Sequence, residues 1–203
     1  MAKFSIKTLI KFGDKGHLYR LLKYGEIYMK NIDFYRKYEL SNPEHLRGDI
    51  YECYDKISQH NTIKFIDNNL EINDLTIFEN NYIYTGYLFC MYAIYSDSDS
   101  DAETRYDRRM LDFGEHEIII HNPKEFINRI NQYCNKNNII HRCSRVLYYP
   151  EKSLDCELSP FMKREKYSYQ SEARIYIYNR NPQDYFKFYI GNIEDIAILE
   201  KCI

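Results

Sequence analysis

Tryptophan is absent from this chain of 203 residues, and glycine and proline are scarce, at seven and five. So few glycines leave no Gly-x-Gly-x-x-Gly or Walker-type loop to cradle a phosphate with backbone alone. Nor is there a His-Glu-x-x-His helix for zinc or a Gly-x-Ser-x-Gly elbow for a hydrolase. The six cysteines (Cys53, Cys90, Cys134, Cys143, Cys156 and Cys202) include no Cys-x-x-Cys pair and none at zinc-finger spacing from a histidine. No apolar run approaches the length of a membrane span, and no secretory leader opens the sequence. The expectation is therefore a cytoplasmic protein with no membrane partner, its thiols reduced and packed as small hydrophobes. Neither sign of charge dominates: 28 Lys and Arg against 30 Asp and Glu leave a net charge of −2. Without a global basic field, nucleic acid has only a local patch to find.

What the chain has instead is 22 Tyr and 11 Phe. These rings must line much of any core or groove, with hydroxyls that need water or a polar partner. Hydrophobic residues make up 44%, the globular class. A single domain of this size buries roughly 70% of its unfolded surface and needs no disulfide or metal staple.

The pattern predicts a β–α–β opening. An apolar strand covers Phe4–Phe12, and Asp14-Lys15-Gly16 starts a helix with Leu18, Leu21 and Leu22 on one face. Gly25 ends that helix in the left-handed conformation, and a strand at Glu26–Lys30 sets Ile27 and Met29 against Glu26, Tyr28 and Lys30. Residues Phe34–Tyr54 are charged and aromatic, with turn signals at Asn42-Pro43 and Arg47-Gly48-Asp49. Short strands are expected at Thr62–Ile66, Leu70–Ile72 and Tyr82–Tyr95, the last with a bulge at Gly86. Ser96–Arg109 alternates Ser and Asp and reads as a mobile surface loop that lacks the glycine and distal Glu of a calcium loop.

Glu115–His121 reads as a strand, with His116 and His121 on opposite faces. Asn122, Pro123 and Glu125 then form the N-cap, N1 and N3 of a helix. Further strands fall at Ile139–Tyr149, Glu172–Tyr178 and Tyr185–Ile190, and a terminal helix or turn at Ile193–Leu199. The fold class that follows is α+β: a twisted, largely antiparallel sheet, open to division into two halves, with two or three helices, all in one domain over residues 1–203.

One strand carries chemistry. Alternation over Tyr169–Tyr178 puts Ser171, Ala173, Ile175 and Ile177 on one face and Gln170, Glu172, Arg174, Tyr176 and Tyr178 on the other. A carboxylate and an amide two residues apart can stabilise positive charge developing at an anomeric carbon, hold a ribose hydroxyl and orient a nucleophile. The bland alternative is a solvated face paired to cross-strand charges, with next-but-one neighbours about 7 Å apart and out of direct contact. Upstream, Phe161-Met162-Lys163-Arg164-Glu165-Lys166-Tyr167 sets cations beside rings, as a phosphate or nucleic-acid clamp would, with Tyr167 or Tyr169 stacking on a base. The competing reading is an exposed charged turn or short helix. Asp49 and Glu52 are further carboxylates, and nothing in their spacing forces them to meet Glu172.

Several segments together resemble one family: Lys11-Phe12-Gly13, Gly25-Glu26-Ile27-Tyr28-Met29, Phe34-Tyr35-Arg36, Arg47-Gly48-Asp49, Val146-Leu147-Tyr148-Tyr149 and Tyr169-Gln170-Ser171-Glu172-Ala173-Arg174-Ile175. They are similar to uncharacterised bacterial and prophage proteins of the DUF2971 group and to AbiGi-like phage-resistance proteins. That resemblance implies a role in phage–host conflict, as defence or counter-defence.

Gln170-x-Glu172 at the head of a late strand also resembles the ADP-ribosyltransferase superfamily. What that implies is a nucleotide or NAD-like ligand, with Glu172 and Gln170 as catalytic residues and Lys11, Tyr28, Lys163, Tyr169 and Arg174 as ligand contacts. Tyr28 would stack on a base, and Arg174 and Lys163 would anchor phosphate. A non-catalytic inhibitor, an antitoxin-like protein with a protein partner, or a sponge for a nucleotide signal would use the same Tyr-rich surface. A nucleic-acid module built on Lys163, Arg164 and Lys166 is a third reading.

Overall fold

The computed structural model describes residues 6–41, 48–65, 70–95, 106–150 and 155–202. In chain order the first half runs β1 (Ile6–Gly13), α1 (Lys15–Tyr24), β2 (Glu26–Asn31), α2 (Ile32–Ser41), β3 (Lys56–Phe65), β4 (Leu70–Glu79) and β5 (Gly86–Tyr95). The second half runs β6 (His116–Ile120), α3 (Pro123–Lys136), β7 (His141–Arg145), β8 (Leu147–Tyr149), β9 (Cys156–Glu157), β10 (Met162–Arg164), β11 (Glu172–Tyr178), β12 (Tyr185–Tyr189) and β13 (Ala197–Lys201). The protein is α+β, and its eight-stranded main sheet is antiparallel throughout.

Local chemistry sets the first unit. The Asp14 side chain accepts from the amides of Gly16 and His17, and Gly25 at φ 63° ends α1. Leu18, Leu21 and Leu22 are buried on one face of α1, each worth about 1.5–3 kcal/mol over exposure. At α3, Asn122 Oδ1 accepts from the Glu125 amide at 3.1 Å, and Pro123 stands in the first turn. Leucines of α1 join Phe126, Ile130 and Cys134 of α3 in the main core, against Leu9, Ile27, Met29, Phe89, Ile118 and Ile175 of the sheet.

The sheet divides at β5. One edge of β5 pairs with the whole of β11, from Gly86↔Tyr178 to Tyr92↔Glu172. The other edge is shared: β2 takes Tyr87 and Leu88, and β1 takes Tyr92 to Tyr95. The two strands of the β–α–β opening therefore do not pair with each other in the sheet order. β1 continues into β6 and β13, and β2 into β12, so two half-sheets diverge from a common strand. On the face away from α1 and α3 lie a three-stranded sheet (β4-β3-β9), the parallel pair β8–β10, and α2 with Ile32 and Tyr35 against Leu88.

Some expectations are corrected. The charged, aromatic stretch from Phe34, for which the pattern names no element, begins within a helix, α2, at Ile32–Ser41. The terminal segment ends in a strand, β13, which pairs with β6 from Ala197↔Ile120 to Lys201↔His116. Gly86 opens β5 instead of bulging its middle. Of the predicted loop at 96–109, residues 96–105 lie outside the described residues, as do Asn42-Pro43 and Arg47. Asp107 caps a short 3-10 helix, Arg108–Phe113.

Candidate functional site

Where β1 and β2 part, Cys90 sits on the β5 edge with neither strand paired to it. Its carbonyl still needs a donor. Lys11 supplies one: its Nζ donates to the Cys90 carbonyl at 2.7 Å and lies 4.8 Å from the Phe89 ring centre. A cavity of about 690 Å³ runs through this split, within the range of small-molecule sites. Its lining includes Leu18, Phe89 and Met91 from the main-core side and Ile10, Leu88, Tyr92 and Glu172 from the opposite face. Phe12, Tyr28, Phe34, Tyr35, Tyr38 and Phe113 add rings.

At one end lies a buried ionic network. Arg174 and Glu172 leave β11 on the same face, and both are buried, at 1% and 6% exposure. Arg174 Nε donates to Glu172 Oε2 at 2.6 Å. Its Nη1 donates to Glu52 Oε1 and to the Pro160 carbonyl, both at 2.7 Å, and its Nη2 to Glu52 Oε2 at 3.0 Å. Lys163 Nζ donates to Glu172 Oε1 and to Gln170 Oε1, each at 2.7 Å. Two carboxylates and two cations thus compensate each other out of water, as buried charge requires.

The electrostatics follow from this packing. Burial alone would raise the Glu172 carboxyl, but Arg174 and then Lys163 override it and hold the group well below the usual carboxylate range. Lys163 stays charged: burial works against the ammonium, and Glu172 and Glu52 outweigh it. The Cys90 thiol, pushed up to about 12 by burial and then by Glu172, is no nucleophile.

Glu52 reaches this network from the segment after α2. Arg36 of α2 donates from Nε to the Glu52 carbonyl at 2.7 Å and from Nη2 to the Cys53 carbonyl at 3.1 Å, clamping the turn. Next to it, Arg164 Nη2 donates to Asp49 Oδ1 at 2.7 Å and to Glu39 Oε2 at 3.1 Å, and Lys166 and Tyr167 also donate to Glu39. Burial, then the neighbouring Glu52, raises the Asp49 carboxyl against the pull of Arg164 and Lys163.

Glu172, Gln170, Lys11, Tyr28, Lys163 and Arg174 all line the cavity. Tyr169 does not: the Arg109 guanidinium covers its ring at 3.8 Å, and its hydroxyl accepts from Gln170 Nε2 at 2.9 Å. Gln170 also departs from the expected strand. It ends a 3-10 helix, and Ser171, in the left-handed region at φ 39°, turns the chain into β11. Glu172 and Arg174 are in direct contact because the long Arg side chain folds back across the two-residue step. Lys163 and Arg174 meet carboxylates and a carbonyl where phosphate was expected, and the segment around Lys163 and Arg164 is buried, leaving Lys166 exposed. Tyr28 is already stacked on Tyr185 at 5.1 Å, which removes ring surface from a base.

Lys30 and Glu52 are the additions. Lys30 shares the Tyr28 face of β2, so alternation alone already points to it. Glu52 has no such signal.

The lining carries five Lys and Arg side chains (Lys11, Lys15, Lys30, Lys163, Arg174) and five carboxylates (Asp14, Glu26, Glu52, Glu115, Glu172), so it is formally neutral. Among the described residues no group of three His, Cys, Asp or Glu is placed to hold a metal ion. All six thiols are free, and among the described residues no helix is long and apolar enough to cross a membrane. Compared with known proteins, the chain matches no family model, no curated protein and no solved structure.

Proposed function

We propose that the cavity binds a nucleotide-type ligand, a ring system carrying an anion, and that the protein acts on it as a divergent ADP-ribosyltransferase-like enzyme with NAD as the candidate substrate. The observation that carries this is the meeting of Gln170 and Glu172 at one end of a ring-lined cavity of about 690 Å³. An ionised Glu172 in a buried site has the charge to hold a ribose hydroxyl and to favour positive charge at an anomeric carbon. Lys163 donates to the Gln170 carbonyl oxygen and the Gln170 amide nitrogen donates to the Tyr169 hydroxyl, so the side chain is held in one orientation beside Glu172. A role in phage–host conflict draws on the resemblance of the signature segments alone.

A second reading, a non-catalytic binder or nucleotide sponge, is favoured by a specific contact. Both Glu172 oxygens already accept from cations, at 2.7 and 2.6 Å, which weakens the field available to a developing cation. The test is a thermal-shift screen of wild type, Glu172→Gln and Glu172→Ala against NAD, ATP and cyclic nucleotides, with NAD consumption followed in parallel. Turnover lost in a folded Glu172→Gln that still binds supports the enzyme. Binding without turnover supports the sponge, and no binding to any nucleotide overturns both.

A further inference from the structure

The cations around the cavity are not equivalent. Lys163 and Arg174 spend their donors on Glu52, Glu172, Gln170 and the Pro160 carbonyl. Lys30 does not. It is half-buried in the wall, with its ammonium 5.5 Å from the centre of the Tyr28 ring and 5.1 Å from that of Phe34. Among the described residues it has no carboxylate within salt-bridge distance. Ring faces steady a cation but leave its N–H groups unspent. The carboxylates near this end are engaged: Glu26 accepts from Arg20 and Tyr189, and Glu52 from Arg174. A formally neutral cavity therefore has local positive character on its β2 wall, while Lys11 brings a second ammonium to the split from β1.

Resting on the nucleotide reading, we infer that Lys30 is the anchor of a phosphoryl subsite. The phosphoryl group of the ligand lies between Lys30 on one half-sheet and Lys11 on the other, and the ligand's ring system lies along the aromatic wall. The recognised class is a phosphorylated ring compound, and the corresponding unphosphorylated nucleoside is a weak ligand. Lys30 sits outside the Glu172 network, so its replacement leaves the core ion pairs in place.

The experiment uses the full chain and measures binding of the four common nucleosides, their diphosphates and inorganic pyrophosphate to wild type, Lys30→Met and Lys30→Arg. Thermal midpoints establish that each variant is folded. In wild type a diphosphate should bind at least about tenfold tighter than its nucleoside, the size of one charge-assisted hydrogen bond. Pyrophosphate alone should bind detectably. Lys30→Met should abolish pyrophosphate binding and cut the preference to about twofold without changing nucleoside affinity, and Lys30→Arg should keep most of it. Nucleosides binding as tightly as diphosphates, or a preference that survives in Lys30→Met, would overturn the subsite and leave the nucleotide cavity standing. Failure of every nucleoside, diphosphate and pyrophosphate to bind would overturn both.

Discussion

Arg174 is the side chain on which most of this site converges. Three donor contacts join β11 to the Glu52 turn and to the Pro160 carbonyl, and a fourth holds Glu172 on the same strand. Arg174→Met strands two buried carboxylates, and the expected loss is about 3–5 kcal/mol in urea unfolding. Arg174→Lys should recover little of it, because an ammonium cannot reproduce the fork. A loss under about 1 kcal/mol would mean that water reaches the network. Glu172 makes the same point through pH. Its carboxyl lies below its ordinary value of 4.5 because Arg174 and Lys163 outweigh burial. A carboxyl depressed on folding adds stability above its unfolded value and loses it as the pH falls toward the folded one. The stability gap between wild type and Glu172→Gln should therefore narrow as the pH drops below about 4.5, and a constant gap would contradict the pairing. The common face of Glu172 and Arg174 was legible from alternation. Glu52, 122 positions from Arg174, was not, because no periodic pattern spans such a distance.

Elements with a local signature were read correctly. α1, with Asp14 before it and Gly25 after it, and α3, with Asn122 and Pro123, announce their ends. The Gly25 turn allows a direct check. At φ 63°, a Cβ would stand 2.1 Å from the Gly191 carbonyl oxygen, so Gly25→Ala must move the junction of β2 and β12. The expected cost is about 1–3 kcal/mol, seen as a lower thermal midpoint, and an unchanged midpoint would show that the turn relaxes freely. α2 escaped notice because it follows β2 without a break, and its ring-rich sequence has a weak apolar stripe, burying only Ile32 and Arg36. β13 was misread because Ile-Ala-Ile-Leu suits helix and strand equally, and pairing with β6 decides it.

At the scale of the molecule, the split sheet makes β5 and β11 a shared spine for both halves. A chain ending at Ser171 lacks the strand that pairs with β5 and β7, and it should show no cooperative unfolding transition by circular dichroism. A sharp transition in that fragment would demote β11 to an accessory. The same topology imposes an order on biosynthesis. The β1–α1–β2 unit emerges from the ribosome early, but its strands have no shared neighbour until Gly86–Tyr95 follows. Glu52 waits longer still for Arg174. Until then its carboxylate is better off in water than in a nascent core. Compaction around the split before β11 is made would therefore bury a carboxylate without its arginine partner.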